Sequence, residues 1–194
     1  MRNKTSISLL MSAWFLLSCG SDAYNPKPKG YPRIDFPKKE YRLFKGNCPF
    51  VFEIPYYAAV GPDESGEYCW FNIDVPFLKS RIHFSYKVID GNLNKYLEDA
   101  RTLVYKHTIR ASAINEREFI NKEARVYARI YELEGNAASS VQFYATDSTR
   151  HFIRGALYFN AQTNVDSLRP AIEFIRQDVV RMVESLKWNE VSSD

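Results

Sequence analysis

VYARIYELEGNAASSVQFYATDSTRHFIRGALYF, residues 126–159, holds three strand-length runs separated by turn-forming pairs. Val126 to Leu133 leads into Gly135-Asn136, Ser139 to Ala145 leads into Asp147-Ser148, and His151 to Phe159 closes the set. Runs rich in Val, Ile, Tyr and Phe, punctuated by Gly, Asn, Asp and Ser, predict an antiparallel meander. Its faces are not cleanly split, since Tyr127, Tyr131, Phe143, Tyr158 and Phe159 put apolar surface on both sides.

Upstream, three shorter runs alternate with period two. Cys48 to Ile54 places Cys48, Phe50, Phe52 and Ile54 on one face, and Cys69 to Val75 does the same with Cys69, Phe71, Ile73 and Val75. In Arg81 to Val88, residues Ile82, Phe84, Tyr86 and Val88 point in while Arg81, His83, Ser85 and Lys87 point out. Prolines 55, 62 and 76 with Gly61 and Gly66 separate these strands, and Tyr56 to Tyr68 reads as a loop.

Two amphipathic helices complete the pattern. Asn92 is placed to cap the first, and Leu93, Tyr96, Leu97, Ala100, Leu103, Val104 and His107 recur at helical spacing. The second begins near Asp166 or Ser167, tolerates Pro170 in its first turn, and runs to about Trp188. Its stripe is Leu168, Ala171, Ile172, Ile175, Val179, Met182, Val183 and Leu186. The order βββ-α-βββ-α predicts an α+β domain over 41–190, one antiparallel sheet with two packed helices.

The chain's start reads as an export signal. Arg2 and Lys4 precede a mostly apolar stretch, Ile7 to Leu17, that is shorter than the ~20 residues a membrane-spanning helix needs. Leu16-Leu17-Ser18-Cys19 looks like the lipobox read by bacterial lipoprotein signal peptidase, which makes 1–18 a removable signal and Cys19 the lipidated residue. Several acyl chains at that residue hold a protein durably at a membrane surface. From 19 to 40 the composition is that of a tether, with Pro26, Pro28, Pro32 and Pro37 among lysines and arginines. Prolines at this density favour an extended backbone of ~3.1 Å per residue.

With the signal removed, 24 basic residues face 23 acidic ones, no footprint for nucleic acid. Cys48 and Cys69 then remain as an even pair in an exported protein. A disulfide is expected there, with two small buried thiols on neighbouring strands as the alternative.

No nucleophile elbow, zincin helix, phosphate loop or paired-cysteine metal site is present, and no cofactor is expected. The trio that could support acyl transfer is His151 with Ser148 or Ser139 and Asp147. Against it, Asp147-Ser148-Thr149 reads first as a turn, His83 alternates outward on a strand, and His107 continues a helix stripe. A binding role has more support. Tyr56 and Tyr57 sit at a strand end beside a Pro- and Gly-containing loop, where aromatic side chains make good partner contacts. Envelope hydrolase chemistry and carriage of a lipid or small ligand between sheet and helix are the alternatives.

Several stretches carry a resemblance to a known family: PKPKGYPRIDFPKKEY (26–41), CPFVFEIP (48–55), HFSYKVI (83–89), and Gly135 to Asp178 with GNAASSVQFYATDSTRHFIRGALYFNA at its start. By them the chain resembles the gliding-motility lipoproteins GldD of Bacteroidota over nearly all of its mature length. The resemblance implies a lipid-anchored envelope protein needed for gliding. It also implies partners among the gliding and type IX secretion proteins, and it carries over no catalytic residue. The periplasmic face of the outer membrane is the expected location. The element order is also similar to the Mog1/PsbP-type sandwich, an analogy of fold that says nothing about activity.

Overall fold

Alternation along Ser80–Val88 is borne out over most of its length: Ile82, Phe84 and Tyr86 are buried, while Arg81, His83 and Lys87 are exposed. Val88, expected inside, is exposed, because the strand runs past the layer that covers it. This is seen in a computed structural model that describes residues 34–106, 110–160 and 165–189, all within the unit Tyr31–Asp194. The signal, Cys19, most of the tether and His107 lie outside the described residues.

The strands are β1 (Tyr41–Phe44), β2 (Phe50–Pro55), β3 (Ala59–Pro62), β4 (Phe71–Val75), β5 (Ser80–Val88), β6 (Ala111–Asn121), β7 (Val126–Gly135), β8 (Ser139–Thr146), β9 (His151–Phe159) and β10 (Lys187–Trp188). Helix α1 (Leu93–Tyr105) follows β5, and α2 (Val165–Ser185) follows β9. Seven strands form one antiparallel sheet in the order β3-β4-β5-β9-β8-β7-β6. The other three form a second sheet, β1-β2-β10.

The expected single sheet is therefore corrected to two. β2 has the buried alternation foreseen for it, Phe50, Phe52 and Ile54, but presses that face onto the large sheet. Phe52 lies 5.3 Å from Phe84, and Phe71 lies 4.5 Å from Phe84, ring centre to ring centre. Periodicity says which face of a strand is apolar and leaves open which edge it pairs with. The order βββ-α-βββ-α also changes. β1, at the start of the expected domain, is too short to show alternation, β3 lies in the expected loop, and β6, with Asn115-Glu116-Arg117-Glu118 at its middle, lacks apolar alternation. β10 occupies residues expected to finish the second helix.

The inner face of the large sheet is covered by β2 and by α2, whose Ile175, Val179, Met182 and Val183 are buried, as is Leu186 just past its end. The outer face is covered in part by α1, where Ala100 packs with Phe152 and Val104 with Tyr131 and Leu133. Asn92 precedes α1 without capping it: its side chain accepts from the Asp90 N–H and donates to the Tyr96 hydroxyl. Gly155 is required by close approach, since a Cβ there would run into the Phe143 ring.

Candidate functional site

The large sheet has two ends, and the chain's special residues collect at each. At one lie the starts of β3 and β5, the short 3-10 turn Pro76–Leu78 and the end of β9. At the other lie the end of β5, the start of β9 and the loop from Asp63 to Trp70.

Residues 36–40, expected in the tether, pack on α2 at the first end. Phe36 stacks on Phe174 at 4.3 Å, and the Lys39 ammonium lies 3.6 Å from the same ring. Lys39 Nζ donates to Asp178 Oδ1 and to the Phe174 carbonyl, both at 2.6 Å. The hydroxyl of Tyr41 donates to the same carboxylate at 2.9 Å and that of Tyr57 at 2.5 Å. Asp178 is only 2% exposed, so these donors replace the water it has lost. Burial lowers the Lys39 pKa against the opposing hydrogen bond and charge of Asp178. Burial, then the hydrogen bond and charge of Asp178, raises both tyrosines. Tyr57 is thus spent in an internal latch, while Tyr56 beside it is 65% exposed.

At the other end Cys48 and Cys69 are joined in a disulfide with their Cα atoms 5.7 Å apart. Cys69 adopts a left-handed backbone (φ 57°), which the crosslink holds in place. The Tyr68 hydroxyl donates to the Asn47 carbonyl at 3.0 Å and Trp70 Nε1 to the Tyr86 carbonyl at 2.8 Å. These ties fix one wall of a cleft of about 430 Å³ lined by Glu67, Tyr68, Trp70, Tyr86, Lys87, Val88 and Tyr96. Tyr68 is 61% exposed and Val88 59%. The Lys87 ammonium sits 5.0 Å from the Tyr96 ring. Rigid aromatic walls of this kind bury contact area at little entropic loss. Tyr68 and Trp70 stand at the far end of the loop that opens at Tyr56, whereas Tyr96 comes from α1, where helical spacing puts it on the packed stripe.

The candidate hydrolytic residues have other partners. His151 Nδ1 shares a hydrogen bond with the Tyr86 hydroxyl at 2.9 Å, and its ring stacks on Trp188. Burial lowers its pKa, with Asp147 acting the other way. Burial alone would raise Asp147. The N–H groups of His151, Arg150 and Thr149 and the Thr149 hydroxyl outweigh it and hold the carboxyl below its usual range. Asp147 thus closes the β8–β9 turn, with Ser148 left-handed inside it (φ 67°), and its hydrogen bond to His151 goes to the backbone. The Ser139 hydroxyl donates to the Val141 carbonyl. His83 projects from the outer face of β5, edge-on to Tyr158. Among the described residues no trio of His, Cys, Asp or Glu is placed to hold a metal, and no helix is long and apolar enough to cross a membrane.

The sequence model of the family described as gliding motility lipoprotein GldD matches residues 21–188. No curated protein matches the chain. Among solved structures, the solution structure of cyanobacterial PsbP (CyanoP) from Synechocystis sp. PCC 6803 is similar with 8% identity and a TM-score of 0.47, covering 84% of this chain and 99% of that one.

Proposed function

The chain belongs to the gliding motility lipoprotein GldD family, lipid-anchored proteins of the cell envelope, and from that premise we propose that it is a non-catalytic docking component for gliding and type IX secretion. Cys19 carries the lipid, and the domain works on the periplasmic face of the outer membrane. Its partners are other envelope proteins of the gliding and secretion apparatus.

The observation that carries this reading is the aromatic cleft of Tyr68, Trp70, Val88 and Tyr96. It lies at the end of the sheet opposite the point where the tether joins the domain, so a partner can reach it while the chain is anchored. The involvement of Asp147 and His151 in turn and packing contacts supports docking over hydrolysis.

The test is spreading of a deletion strain complemented with single variants, with protein level followed by blot. Tyr68→Glu and Val88→Glu place a charge in an apolar contact, where it must be desolvated, and should abolish spreading at normal abundance. Ser148→Ala, His83→Ala and His151→Gln should spread if they accumulate. A histidine or serine variant that accumulates yet is immobile, beside active Tyr68 and Val88 variants, makes hydrolase chemistry the better account.

A further inference from the structure

The way the tether is moored says which part of the domain meets the lipid. Phe36, the first aromatic residue described, stacks on Phe174. Phe174 in turn has Tyr57 at 5.5 Å and Phe77 at 6.3 Å. Around this cluster, at the same end of the sheet, Tyr56 is 65% exposed and Phe77 46%. Phe77 stands at the tip of the Pro76–Leu78 turn, followed by exposed Lys79. Lys38, also exposed, ion-pairs with Glu40 at 3.2 Å, and Glu173 is held by Arg176, so these two acids each face a cation.

From this arrangement we infer that the end of the sheet bearing Tyr56 and Phe77 lies on the bilayer surface, with both rings at headgroup depth. The inference rests on the lipid anchoring of the chain. Fourteen residues separate Cys19 from Ile34, so even a fully extended tether reaches roughly 45 Å at ~3.1 Å per residue. A lipid tether of that reach keeps the domain close to the bilayer and raises its effective concentration there, so two exposed rings can hold a surface that they would not hold free in solution. Tyrosine and phenylalanine beside lysine suit the boundary between headgroups and acyl chains.

A second feature of this end fits phospholipid. Beside the turn opens a cleft of about 680 Å³ whose lining includes Lys79, Ser80, Arg81, His83, Tyr158 and Asn160. Arg81 is paired with Asp74 at 2.7 Å, which leaves exposed Lys79 as the cation that faces an anion. A headgroup phosphate is the chemistry that this lining accepts.

The test is photolabelling of the full lipidated protein in phosphatidylethanolamine–phosphatidylglycerol vesicles that contain a phospholipid with a diazirine in its upper acyl chain. Val88 and Ile120, 59% and 58% exposed at the opposite end of the sheet, serve as controls matched for exposure. Adducts at Tyr56 and Phe77 should exceed those at the controls roughly tenfold, a ratio equivalent to ~1.4 kcal/mol. In Tyr56→Glu/Phe77→Glu the adducts at this end should disappear while palmitate incorporation and vesicle flotation persist. Even labelling of floating vesicles, or an excess at Val88 and Ile120, overturns the inference and leaves the anchoring intact. Wild-type protein without palmitate that fails to float refutes the anchoring and this inference with it.

Discussion

Asp178 and Lys39 are 139 residues apart in the chain, and the stability of the domain should depend on their meeting. The two are not equivalent. The Asp178 carboxylate is buried on a helix and cannot reach water, whereas the Lys39 side chain is about a fifth exposed on a flexible stem. Lys39→Met strips the counter-charge from a fixed buried anion, and breaking a buried pair this way costs about 3–5 kcal/mol. Asp178→Asn keeps one carbonyl acceptor, for Tyr41 or Tyr57, which bond different carboxylate oxygens, and lets the ammonium turn outward, so charge-assisted hydrogen bonding is lost, about 1.5–3 kcal/mol. A domain of this size shifts by roughly 2–4 °C per kcal/mol, so Lys39→Met should lower Tm by roughly 10 °C and Asp178→Asn by about half as much. In the double variant the losses should fall short of their sum by ~0.5–3 kcal/mol, as for groups in direct contact. Circular dichroism melts of the full chain, with the disulfide intact in every sample, read all four corners of the cycle. A Lys39→Met variant within ~1 kcal/mol of wild type, or one less damaging than Asp178→Asn, refutes the latch as a stability element.

Other consequences are open to simple measurement. Cys19→Ala should leave an unprocessed or soluble product, and a variant that still takes up palmitate and partitions with membranes ends the lipobox reading. Cys48→Ser/Cys69→Ser opens a 21-residue separation and should remove roughly 3 kcal/mol by chain entropy, with a lower Tm as the readout. Gly155→Ala should cost about 1–3 kcal/mol by overpacking against Phe143, and Phe143→Leu in the same chain should restore part of it; an unchanged melt would show that the ring yields freely. Burial and Asp178 raise Tyr41 and Tyr57, and burial with Tyr144 pushes Tyr131 up to about 12. Folding therefore favours their protonated forms: the stability they contribute is complete below pH 10 and is lost as pH rises beyond it. Lys39, lowered by burial, acts oppositely just below 10.5, where stability gains with pH. Alkaline unfolding should begin above pH 10 and be shallower in Tyr57→Phe, and a wild-type domain equally stable at pH 11 and pH 9 contradicts this.

How far the sequence reaches differs from element to element. The limits of β9, the turn at Asp147-Ser148 and the inward side chains of β2, β4 and, Val88 apart, β5 were legible, because each depends on neighbours along the chain. So was the stripe of α2, whose 3.6-residue period marks its buried side wherever the helix packs. β6 was not legible: its polar middle finds its place through ten paired positions on β7, with Arg129 reaching across to Glu116 and Glu118. A strand held by its neighbour's backbone need not announce itself by hydrophobic alternation.

The candidate site divides in the same way. Cys48 and Cys69 stood out by count, and the structure decided between disulfide and packed thiols by bringing their Cα atoms to 5.7 Å. Tyr56 and Tyr57 read alike as neighbours on a strand end. Only the packing of α2 separates them, because Asp178 claims one hydroxyl and leaves the other side chain in water. Local motif and periodicity sufficed for a lipid-anchored chain with apolar strands and two amphipathic helices. The division into two sheets, the mooring of Lys39 and the cleft behind Tyr68 depend on contacts between residues far apart in sequence, whose energies no local pattern encodes.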